Sequence, residues 1–253
     1  PRLGLLQVCD GHASYLLDPL ALTDWQPLID ILREPAITKV LHACSEDLLV
    51  FASFFDGSAA SVLDTERAAA FLGFGYSVSY QNLVMQLTGR DLPKGETRSD
   101  WLRRPLSQRQ QEYAALDVAF IPALYQALHE RLLERGRLEP LMEDCEQLRE
   151  IARLSEDRQH WEELYLSISA AWRLEGKALN LLQALCVWRE QEARRLDKPR
   201  TWIAKDNDLV LLAEHPPRDE KDLKSIGDLS TGLQRSDHAT LLRMLQAERE
   251  RND

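Results

Sequence analysis

Short apolar runs alternate with amphipathic stretches through the first half of the chain, and from Arg131 onward the alternation gives way to helical, charged sequence. Strands alternating with helices specify an α/β layer, and a run of helices without strands specifies a separate bundle. The spacing predicts strands over residues 3–9 and 14–18, joined by a turn at Asp10-Gly11-His12. A helix over 25–33 stops ahead of Pro35. A strand over 37–41 feeds a helix over 45–55, a strand over 61–63 feeds a helix over 65–72, and another helix is expected over 78–87. Residues 89–98 are polar, hold Pro93 and Gly95, and read as a loop. Ser107-Gln108-Arg109-Gln110 has capping-box spacing and starts a long helix. Pro122 falls inside that helix, where it removes the bond to the Val118 carbonyl, so a kink is expected one turn after Asp117.

A charge shift places the boundary between the two parts near residues 155–173. Residues 1–172 hold 16 basic and 26 acidic side chains, whereas residues 173–253 hold 15 of each. The formal net charge of -10 counts against non-specific duplex binding. An acidic part that handles phosphates needs bridging metal ions or local basic patches. No apolar run reaches the roughly 20 residues of a membrane helix. No secretory leader is evident and the cysteines at 9, 44, 145 and 186 form no C-x-x-C pair, which together lead us to expect a reduced cytoplasm and no membrane partner.

Two segments carry the chemistry. His42-Ala43-Cys44-Ser45-Glu46-Asp47 lies at a strand-to-helix corner, and Tyr113-Ala114-Ala115-Leu116-Asp117 lies within the long helix. Tyr113 and Asp117 share a helix face at i, i+4. Asp47 and Asp117 supply hard oxygens suited to Mg²⁺ or Mn²⁺, with a phenol beside them. Each residue alone has a blander role: Asp47 suits the positive end of a helix, Tyr113 suits half-buried packing, and His42 suits a satisfied core histidine. Lys94, Arg98, Arg103 and Arg104 cluster ahead of the Tyr/Asp helix and could grip phosphate, and Trp101 could stack a base or anchor the segment in the core.

The stretch from Lys94 through Trp101, Arg103 and Arg104 to Leu106, followed by Gln111-Glu112-Tyr113-Ala114-Ala115-Leu116-Asp117, resembles the third exonuclease motif region of the ribonuclease D family. Residues 42–51 resemble its second motif, and residues 1–8 the strand just after its first. Residues 178–195, the break at Asp197-Lys198-Pro199 and shorter helices over 208–214, 220–224 and 237–248 resemble the helicase-and-RNase-D C-terminal (HRDC) domain. Trp188 and Trp202 are expected in its core, and Arg194, Arg195, Lys198, Arg200 and Lys205 as its basic patch.

The resemblance implies a ribonuclease-H-like α/β exonuclease domain, a mixed sheet flanked by helices, followed by an all-α HRDC bundle. The expected division is an exonuclease domain over residues 1–155, a helical connector over 156–173 and the HRDC domain over 174–253. It further implies a 3′→5′ exoribonuclease that trims RNA 3′ ends, tRNA precursors among them, releases nucleoside 5′-monophosphates and uses two divalent ions. Asp47 and Asp117 would be metal ligands, and Tyr113 would orient the attacking water. An ordinary phenol, with a pKa near 10, is a poor base at neutral pH.

The family's first motif, Asp-x-Glu, belongs on the strand ahead of residue 1. Asp64-Thr65-Glu66 comes after the second motif and is read instead as a strand end and helix start. Two acids fall short of the about four that two-ion chemistry wants, so this chain is expected to bind metal poorly and cleave little. A DNA 3′→5′ exonuclease of similar fold and a non-catalytic nucleic-acid-binding protein are the alternatives.

Overall fold

The computed structural model describes residues 3–55, 57, 59–93, 95–96, 99–235 and 237–252. It divides into two compact units between Glu156 and Asp157. In the first, β1 (Leu6–Cys9) and β2 (Ser14–Leu17) form an antiparallel hairpin in which Leu6 faces Leu17 and Cys9 faces Ser14. The turn is held by Asp10, whose carboxylate accepts the N–H groups of His12 and Ala13 at 2.8 Å each. Helix α1 (Gln26–Arg33) leads to β3 (Lys39–Leu41), α2 (Ser45–Phe54) and β4 (Val62–Asp64), which pairs parallel with β3. The crossover between the two strands is α2, as a parallel pair requires.

The expected mixed sheet therefore appears as one antiparallel and one parallel pair of strands. The expected strand over 37–41 starts only at Lys39, because Ile37 lies exposed outside the ladder.

Helices α3 (Thr65–Leu72), α4 (Tyr80–Thr88), α5 (Gln108–Ala119), α6 (Ile121–Glu134) and α7 (Leu138–Ser155) complete the unit. Leu124, Leu128 and Leu132 repeat every four residues on α6 and are fully buried against Leu63, Leu72, Leu83 and Leu141. Each such leucine contributes about 1.5–3 kcal/mol by leaving water. A second cluster joins Leu6 of the hairpin, Leu32 of α1, Leu48 of α2 and Ala152 of α7.

The capping box forms as its spacing predicts: Ser107 Oγ accepts the Gln110 N–H at 3.2 Å, and the Gln110 side chain accepts the Ser107 N–H at 2.9 Å. Pro122 acts differently from expectation. The helix has already ended at Ala119, and Pro122 sits in the first turn of α6, where its missing N–H is no loss.

The second unit is all helix: α8 (Arg158–Trp161), two short 3₁₀ turns, α9 (Gly176–Leu196), α10 (Arg200–Ile203), α11 (Asp206–Glu214), α12 (Glu220–Ser225), α13 (Thr231–Gln234) and α14 (His238–Asn252). Its core centres on Leu182 and Leu185 of α9 with Leu209, Leu212, Leu223, Leu233 and Leu241, and Ile168 and Ala171 also belong to it. Trp188 is buried there as expected, but Trp202 is 66% exposed. Helix α10 is a single turn, and it buries Ile203 instead of the adjacent tryptophan. Among the described residues no helix is long and apolar enough to cross a membrane.

Gly232 is where α13 and α10 meet backbone to backbone. A Cβ there would lie 2.3 Å from the Trp202 carbonyl oxygen and 2.9 Å from its carbon. Neither atom can swing aside, so Gly232→Ala is expected to cost about 1–3 kcal/mol. Thermal melting checks this: the transition of the second unit should fall by several degrees while that of the first stays in place.

Candidate active site

The corner between β3 and α2 is an unusual piece of backbone, with Ala43 in the left-handed region at φ 55. One buried carboxylate holds it. Asp64, at the end of the neighbouring strand β4 and 1% exposed, accepts the Ala43 N–H at 3.0 Å and the Cys44 N–H at 2.9 Å. The same carboxylate caps α3 by accepting the Glu66 N–H at 2.8 Å. These bonds explain why an Asp stands after the apolar Val62-Leu63, and they support reading Asp64-Thr65-Glu66 as a strand end and helix start.

Asp47 follows in the first turn of α2, beside Glu46. The residue keeps a solvent-exposed rim, yet protein crowds its carboxyl. That loss of water, reinforced by the charges of Asp64 and then Glu46, pushes the group up to about 6. His42 is spent on structure. Its Nε2 lies 3.1 Å from the Val78 carbonyl and therefore carries the proton, while burial disfavours the imidazolium. Nδ1 lies 2.9 Å from the Thr65 hydroxyl, which itself donates to the Leu41 carbonyl at 2.9 Å.

Helix α5 supplies the other half. Tyr113 and Asp117 stand one turn apart, both half-buried. Burial alone pushes the Asp117 carboxyl up to about 6. Neither Asp47 nor Asp117 is among the charges that perturb the other. The Ser14 hydroxyl donates to the Ala115 carbonyl at 3.2 Å, fastening the hairpin to α5 between the two residues.

Trp101 packs its ring against Tyr113, with centroids 6.2 Å apart, which fits an anchoring role better than a free stacking platform. Arg104 is committed elsewhere than to a phosphate. Its Nε and one terminal nitrogen donate to the two Asp18 oxygens at 2.6 Å each, and further bonds reach the Gly4 and Trp101 carbonyls at 2.8 and 2.9 Å. The expectation that Arg104 grips substrate gives way to a bracket that ties the Trp101 segment to the hairpin. Arg103 is exposed, and Lys94 and Arg98 lie outside the described residues.

Sequence reasoning did not find the Asp18–Arg104 pair, whose partners are 86 positions apart and carry no local pattern. Nor did it find the task of Asp64, although Asp-Thr after an apolar strand was a visible helix-start pattern.

Two carboxylates held above their ordinary range are electrostatically poised for a hard cation, which would return them to the charged form. The donors are of the right kind and too few. Among the described residues no group of three or more His, Cys, Asp or Glu side chains converges to hold a metal ion.

The sequence pattern of the 3′–5′ exonuclease family matches residues 1–133, more than half of the chain and all of the elements just described up to α6. The chain belongs to the 3′–5′ exonuclease family. An HRDC domain matches over residues 178–245, so the exonuclease fold, ribonuclease-H-like, is followed by a helical HRDC domain. Ribonuclease D of Pseudomonas paraeruginosa is 40% identical over 245 residues, which cover 97% of this chain and 64% of that protein. The crystal structure of Escherichia coli RNase D, described as an exoribonuclease involved in structured RNA processing, superposes with a TM-score of 0.85 at 36% identity. It covers 98% of this chain and 65% of that one. The chain thus spans just under two thirds of these relatives. Brucella melitensis NrnC with bound Mg²⁺ is 25% identical, with a TM-score of 0.54 over 60% of this chain and 75% of that chain.

Two outcomes test the electrostatics. Asp64→Ala strands three backbone N–H groups and is expected to cost about 3 kcal/mol or more, read as a lower urea midpoint for the first unit. For Asp117 the carboxyl is raised when folded, so the folded form keeps a proton that the unfolded chain has lost between about pH 4 and 6. Stability is therefore lost as pH rises through that window. Asp117→Asn should gain about 1–2 kcal/mol at pH 7 and nothing at pH 4, measured by denaturant titration at both.

Proposed function

We propose that this chain is the catalytic and HRDC portion of a metal-dependent 3′→5′ exoribonuclease of the ribonuclease D type. The observation that carries the reading is the pair of carboxyls at Asp47 and Asp117, each raised to about 6, with Tyr113 one turn before the second. Its substrates are RNA 3′ ends, tRNA precursors among them, and its products nucleoside 5′-monophosphates. Residues 1–155 form the exonuclease domain, 156–173 a helical connector and 174–253 the HRDC domain.

Asp47 and Asp117 would hold the ions, Mg²⁺ or Mn²⁺. Bound there, divalent cations supply an activated water and offset charge developing on the phosphate. The Mg²⁺ carried by the Brucella relative supports the choice of cation. Tyr113 would orient the attacking water, and its ring is kept in place by Trp101. The Arg104–Asp18 bracket holds that tryptophan segment. Exposed Arg103 would face the phosphate backbone, and Lys94 and Arg98, near it in the sequence, are assigned the same role.

Two ligands do not complete a two-ion site. We assign the other pair to an Asp-x-Glu strand preceding β1, as in the family pattern. Among the described residues β1 pairs only with β2 and β3 only with β4, which leaves each a backbone edge that another strand could use. Residues 1–253 alone would then bind metal poorly.

The test is cleavage of a 5′-labelled single-stranded RNA with Mn²⁺ by the upstream-extended protein, beside residues 1–253. The extended form should release mononucleotides, and Asp47→Asn or Asp117→Asn should each lower kcat by at least about a hundredfold with little change in KM. Equal activity of the two forms overturns the missing-ligand assignment. A preference for a DNA end of matched sequence overturns the RNA assignment. Because protons compete with the cation for both carboxyls, the Mn²⁺ midpoint should rise as pH falls below about 6.

A further inference from the structure

Tyr80 opens α4, away from both acidic residues in sequence. Its hydroxyl lies between two backbone groups of the helix that carries Asp117. The Phe120 N–H donates to it at 3.2 Å, and it donates to the Leu116 carbonyl at 3.0 Å. In an unbroken α-helix those two groups, four residues apart, bond directly to each other. The phenol has entered the ladder in place of that bond, and the Phe120 N–H also faces the Val118 carbonyl. The helix divides at this point, α5 ending at Ala119 and α6 beginning at Ile121. A side chain inserted into the helical ladder is one of the few physical causes of a sharp bend. Asp117 lies inside the opened turn, immediately after Leu116.

The other side of the ring meets His42 at 5.7 Å, and His42 is itself fixed by Thr65 and Val78. Tyr80 therefore links the corner that presents Asp47 to the turn that presents Asp117. Burial pushes its hydroxyl up to about 12, so it stays protonated and keeps its donor bond across the neutral range.

We propose that Tyr80 is a positioning residue for Asp117, its inserted hydroxyl holding the Leu116–Phe120 turn open so that the carboxyl is presented to the ions of the site. This rests on the metal-dependent reading given above. Without the hydroxyl the Phe120 N–H can return to the Leu116 carbonyl, closing the turn and turning Asp117 away. A misplacement of about 1 Å at a reacting group is enough to cost roughly a hundredfold.

The experiment is Tyr80→Phe in the full-length protein, which keeps the ring on His42 and removes only the hydroxyl. The expected results are a Mn²⁺ midpoint about tenfold higher by electron paramagnetic resonance, an unchanged KM for RNA, and altered amide exchange at Phe120. In an Asp117→Asn background the same change should leave the Mn²⁺ midpoint where it was. A wild-type midpoint in Tyr80→Phe overturns the proposal, as does an equal loss in both backgrounds, which would mean that Tyr80 acts elsewhere. Failure of Tyr80→Phe to fold also overturns it, since the hydroxyl would then be serving the fold as a whole. If the wild-type enzyme leaves RNA intact, the exonuclease reading fails separately, and Phe120 exchange alone decides whether the inserted hydroxyl holds the turn.

Discussion

The Asp64 carboxylate is the interaction on which the first unit turns. A charge buried to this degree survives only if its oxygens are satisfied, and here three backbone N–H groups converge on it. Those donors belong to two different segments, the entry to α2 and the first turn of α3. One side chain thus fixes the left-handed Ala43 corner, starts a helix and locks the end of the β3–β4 ladder. Its cost is borne by a neighbour. The charge of Asp64 adds to the crowding that keeps Asp47 partly protonated.

That conflict is informative about chemistry. A fold selected only for stability has no reason to keep two carboxyls that stay half-protonated near pH 6, since an amide at either place would relieve the strain. Such groups accumulate where a cation or a reacting group is to be met. Asp47 depends on the corner made by Asp64, and Asp117 on a turn opened by Tyr80. The two acids are positioned by separate devices, and the His42–Tyr80 contact is the physical link between them.

Much of this was legible in the sequence where the interactions are local. The hairpin turn at Asp10 and the capping box at Ser107 and Gln110 both follow from neighbours within four positions. The pairing of Tyr113 with Asp117 followed from helix periodicity in the same way. The failures have physical causes of a different range. Pro122 looked like the origin of a kink, but the break comes from a tyrosine 40 residues earlier. Trp202 looked like core because large aromatics usually are, yet a one-turn helix has room to bury only Ile203. Arg104 looked like a phosphate ligand because its partner Asp18 lies on a distant hairpin. Charge patterning along a string shows where cations are, and only the folded chain shows which are already taken.

The Asp18–Arg104 bracket has an evolutionary corollary. Four of the bonds described here converge on one guanidinium, two of them from a single carboxylate, and neither charge is left comfortable without the other. Positions 18 and 104 should drift as a unit across descendants of this gene: a lineage that neutralises one is under pressure to neutralise the other.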